Sequence, residues 1–338
     1  MGVTIKKFNL MDLFEDPSGY MDFGFLPPSS IADVKCYRVG DNGQSVQRWY
    51  KPRGVSMAYM MVVSGGGGGG AGKTGLTETA RGGGGGGGCS GSAILLIPAV
   101  FLPDVLLVQV GSGGTGGIGS GNGGNTGQNS FIALGGGLTP LSTIPNIILA
   151  SATNAPGGGS PGATTSNAGG GTASTNFSNS QAGHNQLKGI FNNNAGIAGT
   201  TGGLATAGAI GTNLTATWNA NFCSPGTGGA SVSAASTGFA GGSNTLQNAL
   251  DLNDGGLVAS ILPGGAGSSG GASGGQPGII LWKHLLFTGG TGGGSTDNAA
   301  GGAGGQGGPG CGGGGGGAGT TGGNGGNGGD GFVIIICW

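Results

Sequence analysis

Residues 300–338 read AGGAGGQGGPGCGGGGGGAGTTGGNGGNGGDGFVIIICW. Ala300, Ala303, Gln306, Pro309, Ala318, Thr321, Asn324, Asn327 and Asp330 all stand at multiples of three, and nearly everything between them is glycine, with Cys311 and Thr320 as the exceptions. Three residues per turn with a rise of about 3.1 Å is the polyproline II geometry. In that geometry a period of three puts the side chains on one edge and leaves two edges of bare backbone. Bare edges let extended neighbours approach closely and exchange main-chain hydrogen bonds that would otherwise be missing. A flexible Gly/Ser linker is the other reading of such composition. The kept register argues against it, as does the tract's exit into FVIIICW, an apolar end that is an aggregation hazard unless it lies inside a sheet.

The rest of the chain extends this picture. Glycine accounts for 92 of 338 residues, charged residues for 7% and hydrophobic residues for 36%, with a formal net charge of -1. Each Gly inside a helix costs about 0.8–1.0 kcal/mol relative to Ala, so a helical protein is excluded. The 14 prolines and the lack of a sustained G-X-Y repeat exclude collagen. The apolar content and the mean hydropathy of +0.10 exclude a charged disordered tail. No basic surplus exists to capture nucleic acid. No apolar stretch reaches the length of a spanning helix, so membrane insertion is not expected. Residues 1–16 lack the features of a secretory signal, which predicts synthesis in a cytoplasm.

Short apolar runs bounded by Gly and Pro predict strands at 56–63, 92–97, 104–110, 130–134, 146–150, 257–262, 279–287 and 332–338. Several are apolar on both faces, which calls for a second layer or a neighbouring subunit. The predicted fold is mainly β: an antiparallel β-sandwich, jelly-roll-like, with long glycine-rich and partly polyglycine-II loops. Nine of the eleven Lys and Arg lie at or before Arg81. Residues 1–50 therefore read as an N-terminal docking segment and 51–338 as the glycine-rich β domain. Within that domain, 151–256 is a Gly/Ser/Asn-rich loop insertion, 289–331 the polyglycine-II-like tract and 332–338 the terminal strand.

Motifs for chemistry are sparse. Gly67, Gly72, Lys73 and Thr74 match a phosphate-loop pattern, but such a loop must open a helix, and only residues 75–81 separate it from seven further glycines. The five cysteines (Cys36, Cys89, Cys223, Cys311, Cys337) contain no C-x-x-C pair, and His184 and His284 lie far apart, so neither a metal nor a thiol centre is expected. Glu15 with Asp16, and Asp251 with Asp254, each lack a second catalytic or ligand element. No enzyme activity and no cofactor are predicted. Binding residues are sought instead among isolated aromatics in a Ser/Gly/Asn-rich tract, where recognition loops concentrate such side chains. Phe177, Phe191, Trp218 and Phe222 are the candidate receptor-contact residues, with plugs beneath their loops as the competing role.

The segments RWYKPRGVSMAYMMVVSGGGGGG (48–70), IPAVFLPDVLLVQVGSGGTGG (97–117), QNSFIALGGG (128–137) and the close GGNGGNGGDGFVIIICW resemble glycine-rich proteins of bacteriophage particles. The resemblance covers roughly 48–137 and 289–338, and Cys337 and Trp338 depart from the polar ending it leads one to expect. It implies a non-enzymatic virion component of tail-fibre or adhesin type contacting the host surface. The alternative is a capsid or decoration protein whose loops interlock subunits. A homo-oligomer, for example a trimer, is the implied assembly, with other virion proteins bound through residues 1–50 and a host surface receptor as partner. A freestanding glycine-rich surface or ice-binding protein would need a secretion signal and a regular Thr-bearing face, and neither is read in the sequence.

Overall fold

A computed structural model of the chain describes residues 32–40, 46–134, 148–152, 154–155, 158–174, 191–217, 223–234, 238–247, 261–268, 271–281 and 286–338. It is almost entirely extended. Two antiparallel sheets form an open sandwich. The first is ordered β1-β14-β3-β4-β8, from Asp33–Arg38 (β1), Phe332–Cys337 (β14), Met57–Val63 (β3), Ser92–Pro98 (β4) and Phe191–Asn194 (β8). The second is ordered β2-β5-β6-β7, from Val46–Tyr50 (β2), Val105–Gln109 (β5), Ser130–Leu134 (β6) and Ile148–Ala152 (β7). Leu214–Thr217 (β9), Asn244–Gln247 (β10) and Ile261–Leu262 (β11) make a small three-stranded sheet, and Ile280–Leu281 (β12) pairs with Leu286–Phe287 (β13).

The terminal strand lies inside the first sheet, as its apolarity requires. It runs antiparallel to both β1 and β3, and all six of its residues are buried. Successive side chains of a strand point to opposite faces. Val333, Ile335 and Cys337 accordingly enter the space between the sheets, with Met60, Val62, Leu95, Trp49, Leu106 and Ile132. Phe332, Ile334 and Ile336 pack on the other face, with Met61, Val63, Cys89, Cys223, Phe287 and Cys311. The second face is covered by the chain itself, through glycine-rich segments that carry these cysteines.

The crossing between sheets is made by Lys51, Pro52, Arg53 and Gly54. Lys51 Nζ donates to Leu102 O at 2.7 Å and lies 3.3 Å from Asp104 Oδ1. Gly54 turns the chain at φ +81°, a conformation that a Cβ disfavours.

Strands at 57–63, 92–98, 105–109, 130–134 and 332–337 coincide with the sequence expectation, and β7 is displaced two residues from 146–150. Of 257–262, Ile261 and Leu262 fall among the described residues and form β11. Polar strands β1, β2, β8, β9 and β10 carry weak apolar patterns and were not predicted. Pairing partners supply their stability. Residues 33–50 thus contribute an edge strand to each sheet, and the tract 151–256, read as loop, contributes three strands.

Beyond one end of the sandwich, β3, β4, β5 and β14 continue into a bundle of extended glycine-rich segments. Its axis is residues 65–73. The N–H groups of Gly65, Gly68 and Ala71 donate to Gln128, Asn125 and Asn122; those of Gly66, Gly69 and Gly72 donate to Gly329, Gly326 and Gly323; those of Gly67, Gly70 and Lys73 donate to Gly88, Gly85 and Gly82. All nine bonds measure 2.8–3.0 Å. The carbonyls of the same segment accept from 114–117, 313–316 and 155–162. Each residue therefore faces one of three directions in turn, the three-residue period of polyglycine II packing. Segment 311–318 repeats the arrangement, donating to 224–230, 67–73 and 302–308 and accepting from 84–90, 290–296 and 323–329.

Side chains are absent from this interior for a measurable reason. A Cβ on Gly69 would stand 2.0 Å from Gly314 O, and one on Gly87 would stand 2.1 Å from Gly67 O. Gly169, by contrast, meets only Ser160 Oγ at 3.4 Å. Gly69→Ala is expected to destabilise the protein by more than about 4 kcal/mol or to prevent folding, because backbone on both sides is locked. Gly169→Ala is expected to change stability by no more than about 1 kcal/mol, in the stabilising direction if the unfolded-state entropy term dominates. Denaturant melts of the two variants beside the wild type test the contrast.

Candidate functional site

The bundle is stacked in rows. Segments 111–118, 323–330, 302–308 and 273–278 are joined in that order, by Gly325 N–H to Gly117 O, Gly304 N–H to Asn324 O and Gly275 N–H to Ala303 O, each 2.8–2.9 Å. Each is also bonded to the row behind, formed by 65–73, 311–318 and 288–296. The outer row is therefore a flat face. Side chains leave it at every third residue: Thr115 and Ile118, then Asn324, Asn327 and Asp330, then Ala303 and Gln306, then Gln276, all exposed. Along a segment the repeat is about 9 Å, three rises of about 3.1 Å. Across segments it is about 5 Å, the spacing that main-chain hydrogen bonding imposes on extended chains.

The register of three in 300–330 now divides by position. Its outer stretches carry a side chain at each third residue, whereas 312–317, buried in the second row, carries none. Ala318, fully buried, ends that inner segment. The outer side chains also satisfy backbone. Gly113, Gly116 and Gly119 donate their N–H groups to Asp330 Oδ1 (2.7 Å), Asn327 Oδ1 (2.8 Å) and Asn324 Oδ1 (3.1 Å). One ladder of side-chain oxygens thus replaces a row of carbonyls.

These features agree with sequence comparison, in which the model of a family described as a glycine-rich domain matches residues 41–221, more than half of the chain. The chain belongs to the glycine-rich domain family. No curated protein sequence matches it. The match ends at residue 221, yet glycine-rich segments 223–230, 288–296, 302–308 and 311–318 beyond it are bonded into the same bundle as 65–73 and 82–90.

Inside the glycine-rich domain, buried hydroxyls bridge places where main-chain partners do not meet. Thr227 Oγ1 accepts from Gly292 N–H at 2.8 Å and donates to Gly242 O at 2.6 Å. Ser231 Oγ accepts from Ala209 N–H and donates to Leu204 O. The phosphate-loop pattern has no helix after it. The N–H groups of residues 67–73 are all bonded to main-chain carbonyls, and Thr74 Oγ1 accepts from Gly322 N–H. No main-chain donors are left there to cradle a phosphate.

The loop after it, 75–81, is closed by one ion pair. Arg81 is 1% exposed and bonds to Asp297 Oδ1, and it also donates to Asp297 O, Gly75 O and Thr79 O. Burial lowers the Arg81 pKa, and the adjacent Asp297 carboxylate opposes that shift.

Of the predicted contact aromatics, Phe177, Trp218 and Phe222 lie outside the described residues. Phe191 opens β8, its backbone paired with Leu95. Glu15, Asp16, His184, Asp251, Asp254 and His284 also lie outside them. The exposed Asn/Gln/Thr face was missed because its residues are scattered along the sequence; the signal for it was the G-G-X register itself.

The fold also gathers thiols that the sequence holds far apart. Cys223 Sγ and Cys311 Sγ both donate to Pro309 O, at 3.3 and 3.5 Å, and Cys89 Sγ accepts from Ile197 N–H at 3.0 Å. Among the described residues, no group of three or more His, Cys, Asp or Glu is placed to hold a metal ion. Burial pushes the Cys89 and Cys311 thiols well up, and pushes Cys337 up to about 12. Raised thiols stay protonated and inert.

Two measurements follow from these groups. Asp297→Ala leaves the Arg81 guanidinium buried without its counterion and is expected to cost about 3–5 kcal/mol in a urea melt. Thiols raised in the native state give stability that is complete below the unfolded value of about 8.5 and is lost as pH rises towards the native values. The urea midpoint is expected to hold between about pH 6 and 8 and to fall above about pH 8.5, and Cys337→Ala is expected to make that fall shallower.

Proposed function

We propose that the chain is a non-enzymatic structural component of a bacteriophage particle, displayed at a tail fibre as a receptor-binding adhesin. The observation that carries this reading is the two-ended build. At one end of the sandwich β3, β4, β5 and β14 run into a rigid glycine bundle whose outer row presents polar side chains at regular intervals. The opposite end holds the start of β1, the ends of β2 and β14, and the exposed apolar residues Tyr50, Val100 and Phe101. The chain enters β1 at that second end. Attachment there through the parts of 1–50 that reach that end, before β1 and around Tyr50, to other virion proteins and to further copies of the chain in a homo-oligomer such as a trimer, leaves the bundle facing the host. Glycine-rich recognition surfaces gain from this rigidity, because side chains fixed before contact lose little freedom on binding.

A capsid or decoration protein with interlocking bundles is the second reading, favoured by the flatness and low charge of the outer row. Asp330 is the one charged residue exposed on it. A gold-binding tag inserted at the exposed turn Thr164, Thr165, Ser166 and Asn167 separates the two by electron microscopy of virions. Gold at a tail tip in a handful of copies is the expected result. Label over the whole shell would select the capsid reading, and label found only inside particles would end both.

A further inference from the structure

A cavity of about 340 Å³ opens where the flat outer row meets the first sheet. Its wall combines three polar residues, Arg38, Gln306 and Asp330, with four apolar ones, Val39, Ile280, Pro309 and Phe332. We propose that it is a binding site for a neutral pyranose sugar, with the outer row as the platform on which the rest of a glycan lies. This rests on the outward display of the bundle proposed above and names the class of ligand displayed to.

The chemistry of the wall selects the ligand. Among the described residues of the wall the charged groups are one guanidinium and one carboxylate, a balance that favours neither a phosphate nor an ammonium group. Neutral hydroxyls, each both donor and acceptor, can use Gln306 and Asp330. Asp330 Oδ1 already holds Gly113 N–H at 2.7 Å, which fixes the carboxylate in place. A carboxylate accepts about four bonds, so acceptor capacity remains for sugar hydroxyls. Gln306 is exposed and carries both donor and acceptor atoms. Ile280 and Pro309 are partly exposed and supply an apolar floor for the C–H face of a ring. Phe332 is fully buried and edge-on to Phe287, so among the described residues of the wall no aromatic face is offered for stacking a nucleobase.

The site is also rigid and of suitable size. Gly308, Pro309, Gly310 and Cys311 form a tight turn closed by Cys311 N–H to Gly308 O at 2.8 Å, with Gly310 at φ +70°. Gly310 N–H then donates to Asp330 O at 2.9 Å, tying one wall to the other. A volume near the lower end of the usual range for small-molecule sites, about 300–1,000 Å³, suits one or two sugar rings.

The test is ligand-observed saturation-transfer NMR on the full chain with methyl glycosides of glucose, galactose and mannose and with N-acetylglucosamine, each at millimolar concentration. Saturable binding of at least one sugar with a Kd of about 1 mM is expected. Gln306→Trp, at an outward-facing position, is expected to weaken it at least tenfold. Asp330→Asn retains an oxygen for Gly113 N–H and is expected to weaken it by a similar factor. Thr164→Trp, on a remote turn, is expected to leave it unchanged. Absence of transfer to all four sugars overturns the proposal. So does undiminished binding in both cavity variants, or equal loss in Thr164→Trp, where thermal melts show native folding. The sugar measurement needs no virion and the gold label needs no sugar, so failure of one reading is distinct from failure of the other.

Discussion

Everything in this protein depends on how closely two extended backbones can approach when neither carries a Cβ. In the bundle interior the carbonyl oxygen of one segment lies about where the neighbour's Cβ would be, 2.0 Å in the case of Gly66 and Cys311 O. Glycine loses more conformational freedom on folding than any other residue. That loss is offset here by hydrogen bonding in three directions instead of the two of a sheet, so that every N–H of a central segment such as 65–73 is bonded to a main-chain carbonyl. An apolar core is needed only in the sandwich. The bundle is held by main chain.

This constraint explains the composition as much as the shape. The side chains that enter the interior are small, such as Ala71 and Ala318, and some complete a bond that the backbone misses, which is the role of Thr227, Ser231 and Thr291. A charge can enter only with its counterion, as Arg81 does with Asp297. On the rim Asn324, Asn327 and Asp330 serve the backbone on one side and solvent on the other, whereas the larger polar side chain of Asn244 is buried and donates to Ser224 Oγ. The 7% charged content follows from the small share of positions that face outward without a structural duty.

Legibility in the sequence tracked the same physics. The terminal strand was readable because FVIIIC must be buried on both faces, and the bundle was readable in 300–330 because nearly every side chain there, Cys311 and Thr320 excepted, keeps the period of three. The strands β8, β9 and β10 were not readable. FNNN and NTLQ have no apolar alternation, LTAT keeps one for only four residues, and partners remote in sequence supply their bonds, as β4 does for β8. The thiol cluster was hidden for a related reason. Cys89, Cys223 and Cys311 sit on three segments that only the bundle brings together. The cavity at Arg38, Gln306 and Asp330 joins three parts of the chain in the same way, and no local motif marks it.

Sandwich and bundle also stabilise one another through their order of connection. β14 pairs with β1 and β3, and the segment just before it, 323–330, bonds to 65–73, just after β3. Each strand pair at the centre of the first sheet is thus continued by a pair of glycine segments in the bundle, and register in one fixes register in the other. A one-residue slip of β14 would turn Val333 and Ile335 out of the core. In the bundle it would rotate 323–330 by a third of a turn and drive Asn324 and Asn327 into their neighbours. The two periods, two in the sheet and three in the bundle, are satisfied together by one alignment only. That double condition holds the exposed side chains of a glycine-rich segment at fixed positions, which a flexible glycine linker of the same composition could not do.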